Sequence, residues 1–384
     1  MKKKKKVIVS LYVVTPILFL LSAVAFIAQC TIPFVDTSFP EEINYNHVIK
    51  DTYSSNEKFG NLNINEIAML GSHDSCSYAI TKNSPSNKNE NVITNNDFVR
   101  PLARGLMQRV SKSQAHDIKT QFKAGARYYD FRITYISNQY MTCHSLISNS
   151  LEENIIQILE CLKENPGEFV YINMQHVYFP KDQGYSYTNL RQYLSTIKVD
   201  NKSIYDYAYE FSGENTKKGM DQITYNELTN NGQNSAAILF IDDTENFKNT
   251  EPDEWQKYFV DYDNTEFGIF DNWANTMDDS KLIKTMQDTI LASQNEEHKH
   301  KLKVNQAQKT PGGIDYVTSW SLLTISEQTN EMLLKEEKLI PNSLIYLPVY
   351  MTDFCTSTHN DFVNVIQNLI KKNNVNLANA KIKN

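Results

Sequence analysis

Ala126-Arg127-Tyr128-Tyr129-Asp130-Phe131-Arg132-Ile133 is the stretch on which the fold turns. Side chains of an extended strand alternate between two faces, so Tyr128, Asp130 and Arg132 share one side and Tyr129, Phe131 and Ile133 the other. The second set is an apolar face fit to pack against helices. The first points an acid and a guanidinium inward, where isolated charges are costly unless paired. A structural Asp–Arg pair satisfies that pattern. An arginine at the end of a strand is equally suited to hold a phosphoryl group through a planar, multi-donor fork.

Working outward, short apolar runs alternate with helix-period segments, the pattern of repeated β–α units around a parallel sheet. Candidate strands are 66–72, 126–133, 169–175, 236–241, 267–273, 316–322 and 344–352. The clearest helix is 151–163. Ile155, Ile158, Leu159 and Leu162 recur at helical spacing, Ser150 and Glu153 make a capping box, and Asn165-Pro166-Gly167 stops it. Seven strands fit an α/β fold of the TIM (β/α)8 barrel kind with one strand missed or irregular. An open doubly wound sheet is the runner-up, but no Gly-rich phosphate loop follows the first strand. Residues 82–114 read as a polar insertion after strand one.

Lys2–Lys6 precede an apolar stretch from Val7 to Ala28 that is long enough to span a bilayer. Residues 1–30 therefore read as a signal or membrane anchor, with a retained anchor favoured over cleavage after Ala23-Val24-Ala25 or lipid attachment at Cys30. The expected location is membrane-anchored on the extracellular side, or secreted. Residues 31–61 read as a polar linker and 62–376 as the barrel domain. Lys+Arg of 38 against Asp+Glu of 45 leaves no basic face for nucleic acid. No obligate protein partner is evident. The five cysteines show no disulfide-framework spacing, and no bridge is expected.

Four further groups could do chemistry at the C-terminal ends of the strands, where barrel active sites lie. Gly71-Ser72-His73-Asp74-Ser75 follows the first strand, and Met141-Thr142-Cys143-His144 follows a short excursion after Arg132. In 169–175 the alternation sends Val170, Ile172 and Met174 outward. Tyr171, Asn173 and Gln175 then face inward, making Gln175 and Asn173 candidate substrate contacts, with His176 to the side. Val349, Met351 and Asp353 share one face of the last strand, so barrel closure would bring Asp353 beside His73. Two histidines with carboxylates suit a metal, but no H-x-x-x-H or H-x-H lies near them and Arg132 argues against a divalent cation. No G-x-S-x-G elbow supports a serine nucleophile. Acid–base work by His73 and His144 is the better reading, with no cofactor required.

At these residues the chain resembles the phosphatidylinositol-specific phospholipase C X-domain family. The resemblance is carried by Ala68–Ser75, Phe122–Arg132 and Asn165–Val170. Weaker matches continue at Ile238–Asp243, Asp271–Trp273, Thr318–Leu322 and Tyr350–Phe354. It implies a distorted TIM barrel of the PLC-like phosphodiesterase type, open at one place. It also implies cleavage of a membrane phospholipid, phosphatidylinositol first among candidates. His73 would be the general base, His144 the general acid and Arg132 the phosphoryl clamp. Asp353 would orient His73, Asp74 would support the leaving-group side, and Asp130 completes the catalytic set. Arg132 and Asp74 resemble the metal-independent, bacterial-type branch. Gln175 stands where bacterial enzymes carry a lysine, and Ser145 where glycine is usual. Two alternatives stay open: a catalytically silent lipid-binding barrel, and a metal-dependent phosphodiesterase of glycerophosphodiester type.

Overall fold

A computed structural model describes residues 38–90, 104–180, 186–211, 219–243, 253–264, 266–312, 321–335 and 348–381, with 23 and 315 alone besides. The expected N-terminal anchor over 1–30 thus lies, apart from residue 23, outside the described residues. Among the described residues no helix is long and apolar enough to cross a membrane.

Among the described residues ten strands form one sheet: β1 Met69–Ser72, β2 Ala126–Ile136, β3 Gln139–His144, β4 Leu146–Ser150, β5 Phe169–Tyr178, β6 Ala236–Ile241, β7 Phe259–Asp261, β8 Ile269–Asn272, β9 Leu302–Gln306 and β10 Val349–Thr352. Eight run parallel in the order β7-β6-β5-β2-β1-β10-β9-β8, and β3 and β4 extend β2 as an antiparallel excursion. Among the described residues the outer members, β7 and β8, form no ladder with each other. Around it lie α1 Val48–Ser55, α2 Arg104–Ser111, α3 Ile118–Lys123, α4 Leu151–Glu164, α5 Tyr187–Thr196, α6 Tyr225–Thr229, α7 Asp279–Ala292, α8 Leu322–Lys335 and α9 Phe362–Ala380. The expected distorted TIM barrel of α/β type is what the described residues form.

The two-residue alternation sorts the core. Met69, Tyr128, Tyr171, Ile238, Phe240, Val304, Val349 and Met351 fill the barrel interior. Leu70, Tyr129, Phe131, Val170, Ile172, Leu239 and Ile241 face the helices. In α4 the buried stripe includes Ile155, Ile158, Leu159 and Leu162, and Ser150 Oγ accepts from the Glu153 amide. Gly167 follows with φ +90°, a left-handed turn that glycine adopts without strain.

Several boundaries shift. The first strand begins at Met69, because Ile64–Glu66 wind into a 3-10 turn. Strands β7 and β9 were not expected, being short and set among charged residues. Of the candidate strand 316–322 only residues 321 and 322 are described, and Leu322 opens α8.

The linker expected over 31–61 is corrected for its described part: residues 48–61 are built into the base of the barrel. Ile49, Phe59 and Leu62 are buried. The Glu168 carboxylate accepts from the Ile49 and Lys50 amides at the start of α1 (3.1 and 2.7 Å), capping two of that helix's unpaired donors. Arg127 reaches Glu168 through Nε (2.7 Å) and the Tyr45 and Asn46 carbonyls through Nη2. Both charged groups are fully buried, so the pair carries its own hydrogen-bond shell. The far boundary moves as well, since α9 continues to Ala380.

Candidate active site

Asp74 is the hub. It directly follows His73 beyond β1 in a left-handed conformation, φ 43° and ψ 50°, which costs a non-glycine residue about 1–3 kcal/mol unless its surroundings hold it. They do. Its amide donates to Asp130 Oδ2 (3.2 Å), and Ser75 Oγ accepts from the Asp130 amide (2.9 Å). The inward pair read from the sequence therefore divides its labour. Asp130 fixes the turn, while Arg132 makes an ion pair through Nε with the Asp74 carboxylate. That leaves the terminal amino groups of the guanidinium as donors.

Two imidazoles flank this carboxylate. His73 Nε2 lies 3.4 Å and His144 Nδ1 3.2 Å from Asp74 Oδ2, with ring centroids 6.4 Å apart. The other nitrogen of His73, Nδ1, stands 2.7 Å from Asp353 Oδ1. A carboxylate there only accepts, which holds the proton on Nδ1 and presents Nε2 to the cleft. His144 Nδ1 likewise meets the Ser111 carbonyl (2.9 Å) and Ser113 Oγ (3.2 Å), so its Nε2 is the nitrogen left for a ligand.

The charges set the protonation states. Burial opposes a charged His73, but Asp74 and Asp353, with Asp130 behind, outweigh it and push the imidazole up to about 9. Burial likewise works against ionised Asp74, yet Arg132, His144 and His73 hold it well below the usual carboxylate range. The resting site at neutral pH thus carries an imidazolium at His73 between two carboxylates.

These groups open onto a cleft of about 480 Å³ that His73, Asp130, Arg132, His144, Gln175 and Asp353 all line. Asn173 is corrected: it faces inward but lies beneath the floor, buried and donating to Tyr128 Oη (2.9 Å). The alternation tells which face a residue takes, not its depth. His176, expected to the side, lines the cleft. The opposite wall, unforeseen, is Tyr262, Asp271, Gln306 and Lys309. Tyr262 Oη donates to Asp271 Oδ1 (3.0 Å), Gln306 Nε2 donates to Oδ2, and burial raises this carboxyl's pKa. Trp273 stands 57% exposed at the mouth, its Nε1 donating to Thr310 Oγ1.

Sequence reasoning also missed Ser111, Ser113 and Gln114, which close the expected insertion over 82–114. Gln114 Nε2 donates to the His73 and Thr352 carbonyls, and its Oε1 accepts from the Cys355 amide, tying β1 to β10 beneath the site. Residues 110–114 are thus part of the site's wall. Nothing in their composition signals it. Cys76, Cys143, Cys161 and Cys355 are buried and free.

One oxygen or nitrogen from each of His73, Asp74 and Asp130 lies close enough to its fellows to surround a cation. The donor chemistry fits a divalent ion poorly, because the Asp74 carboxylate is already neutralised by Arg132 and a dication would sit against that guanidinium.

No family profile matches the chain. In sequence it is 25% identical over 182 residues to a PI-PLC X-box domain-containing protein of Dictyostelium discoideum, covering 47% of this chain and 21% of that one. It is 30% identical over 156 residues to PI-PLC X domain-containing protein 3 of Danio rerio (39% and 48%). It is 28% identical over 133 residues to the variant-surface-glycoprotein phospholipase C of Trypanosoma cruzi (32% and 35%). The matches span less than half the length of these relatives. In fold it is similar to the phosphatidylinositol-specific phospholipase C of Listeria monocytogenes, with TM-score 0.54 and 18% identity over 86% of this chain and 99% of that one. The Staphylococcus aureus phosphatidylinositol-specific phospholipase C superposes with TM-score 0.57 at 14% identity over 85% and 99%. The fold is that of the phospholipase C-like barrels. In sequence the chain is similar to PI-PLC X-domain proteins, the family its motifs resemble.

Proposed function

We propose that the chain is a metal-independent phosphodiesterase of phospholipase C type, acting on a membrane phospholipid with a polyol head group. One observation carries the reading: two imidazoles present Nε2 to one cleft on either side of an arginine–aspartate pair. Phosphoryl transfer needs a proton acceptor, a proton donor and a clamp for the charged oxygens, and little else from the protein.

In this reading a head-group hydroxyl next to the phosphate, the inositol 2-hydroxyl if the head group is inositol, gives its proton to His73 Nε2. Its oxygen then attacks phosphorus. Arg132 holds the non-bridging oxygens as charge builds. His144 delivers a proton to the lipid oxygen as the phosphorus–oxygen bond breaks, releasing diacylglycerol and a cyclic phosphate. Because the resting His73 is charged, the reactive form is the fraction that has lost its Nε2 proton. Asp353 keeps the Nδ1 proton in place throughout. Gln175 contributes a neutral amide where a lysine is usual, and it would set the head-group preference. The lysine-led apolar stretch at the N-terminus supports action at a membrane surface, outside the cytoplasm.

The test is release of water-soluble phosphate from phosphatidylinositol vesicles with EDTA present. Turnover that survives chelation and is lost in H73A and H144A is expected. Vesicle binding without turnover would instead favour the silent barrel, and loss on chelation a metal-dependent enzyme.

A further inference from the structure

The pairing of β2 with β5 carries an irregularity beside Arg132. Asp130 pairs with Asn173, but the next registered pair is Arg132 with His176. Two steps along β2 are thus matched by three along β5, the signature of a β-bulge. Strict alternation would send Gln175 and His176 to opposite faces. The bulge lets both line the cleft, with His176 level with the guanidinium.

The His176 ring stacks on Tyr178, centroids 6.2 Å apart and planes 17° apart. Among the described residues, neither of its nitrogens meets a hydrogen-bond partner, whereas His73 and His144 are each held at Nδ1. The charged groups around it are Arg132 and Asp130 on β2 and Asp74 and His73 after β1. Burial and the Arg132 guanidinium lower its pKa, so it offers a neutral N–H and does not compete with the arginine. A half-buried ring with idle nitrogens, fixed by a bulge beside an anion-seeking side chain, is built to meet what that side chain binds.

We propose that His176 is a third imidazole of the site, a ligand-binding residue that donates a hydrogen bond to a non-bridging phosphoryl oxygen drawn in by Arg132. The inference rests on reading the cleft as a phosphoryl site, and it requires no particular lipid or turnover. It moves no proton in the reaction.

The test uses the full chain with inorganic phosphate as probe and myo-inositol as uncharged control, read by calorimetry on wild type, H176L and H176N. A ring nitrogen resonance of His176 in the unsubstituted protein gives a second readout that needs no variant. Phosphate is expected to bind wild type, to bind H176L roughly tenfold more weakly, as fits one lost hydrogen bond to a charged group, and to bind H176N within about threefold of wild type. The ring resonance should shift with phosphate and stay put with inositol. Equal phosphate affinity in wild type and H176L, no phosphate binding at all, or a ring that answers only to inositol would overturn the proposal. If the phosphate pattern holds and no phosphodiester is turned over, the proposed function falls and His176 keeps its role. If vesicles are cleaved and H176L binds phosphate like wild type, this inference falls alone.

Discussion

Asp353 Oδ1 stands 2.7 Å from His73 Nδ1 across the closure of β10 on β1, joining residues 280 positions apart. The contact sets tautomer and charge together. D353N should lower the His73 pKa, because it removes one of the carboxylates that stabilise the imidazolium. In wild type kcat/KM should climb with pH toward about 9 as His73 loses its Nε2 proton. In D353N the limb should move to lower pH and the plateau should fall by roughly 10²-fold, the scale of a misoriented general base. A limb that does not move would detach Asp353 from His73.

The same shift makes a stability prediction of definite sign. The folded pKa of His73, about 9, lies above its ordinary value of about 6.5. Its contribution is therefore fully present below pH 6.5 and is lost as pH rises through 9. Urea denaturation of wild type and H73N should show a stability gap that narrows steadily from pH 6 to pH 10. A constant gap would mean that His73 carries no charge linked to folding.

Arg132 holds Asp74 and is positioned to hold phosphate. R132M should cost about 3 kcal/mol of stability, the lower end for orphaning a buried carboxylate, since His73 and His144 remain beside Asp74. R132K should restore most of that stability. It should still lose roughly 10²–10³-fold in kcat, because an ammonium cannot pair Asp74 and span two phosphoryl oxygens at once. Melting curves and initial rates on the two variants separate these effects. R132K with wild-type rates would remove the clamp from the reaction.

Remote from the cleft, Glu168 caps α1 and pairs Arg127. E168A should destabilise the fold by about 3–5 kcal/mol, since the fully buried Arg127 loses its only carboxylate partner among the described residues. KM should be unchanged in whatever fraction stays folded. Chemical denaturation gives the first quantity and vesicle assays the second. A loss under 1 kcal/mol would mean that residues 45–61 lie on the barrel without supporting it.

What was legible in the sequence follows from which signals are local. The alternation in 126–133 placed Asp130 and Arg132 inward, and the Val349–Met351–Asp353 face brought Asp353 to His73, because strand period and barrel closure leave no other arrangement. Asn173 shows the limit of that reasoning, since period two assigns a face and says nothing of depth. His176 escaped because a bulge adds one residue without a compositional mark. Ser113 and Gln114 escaped because a stretch without periodicity gives no orientation, although both are anchored by long-range hydrogen bonds. Ile49 and Phe59 were hidden by polar neighbours, and the Arg127–Glu168 pair that helps dock that stretch joins residues far apart in sequence.

The measurement closest to the central claim is phosphorus NMR of phosphatidylinositol vesicles treated with the full chain in excess EDTA. A cyclic phosphate resonance should appear with wild type and be absent with H73A. With H144A it should be recovered only when the lipid is replaced by a diester whose leaving group needs no proton. Turnover abolished by EDTA, or a cyclic product formed by H73A at the wild-type rate, would contradict an acid–base pair of histidines working around Arg132 without a metal.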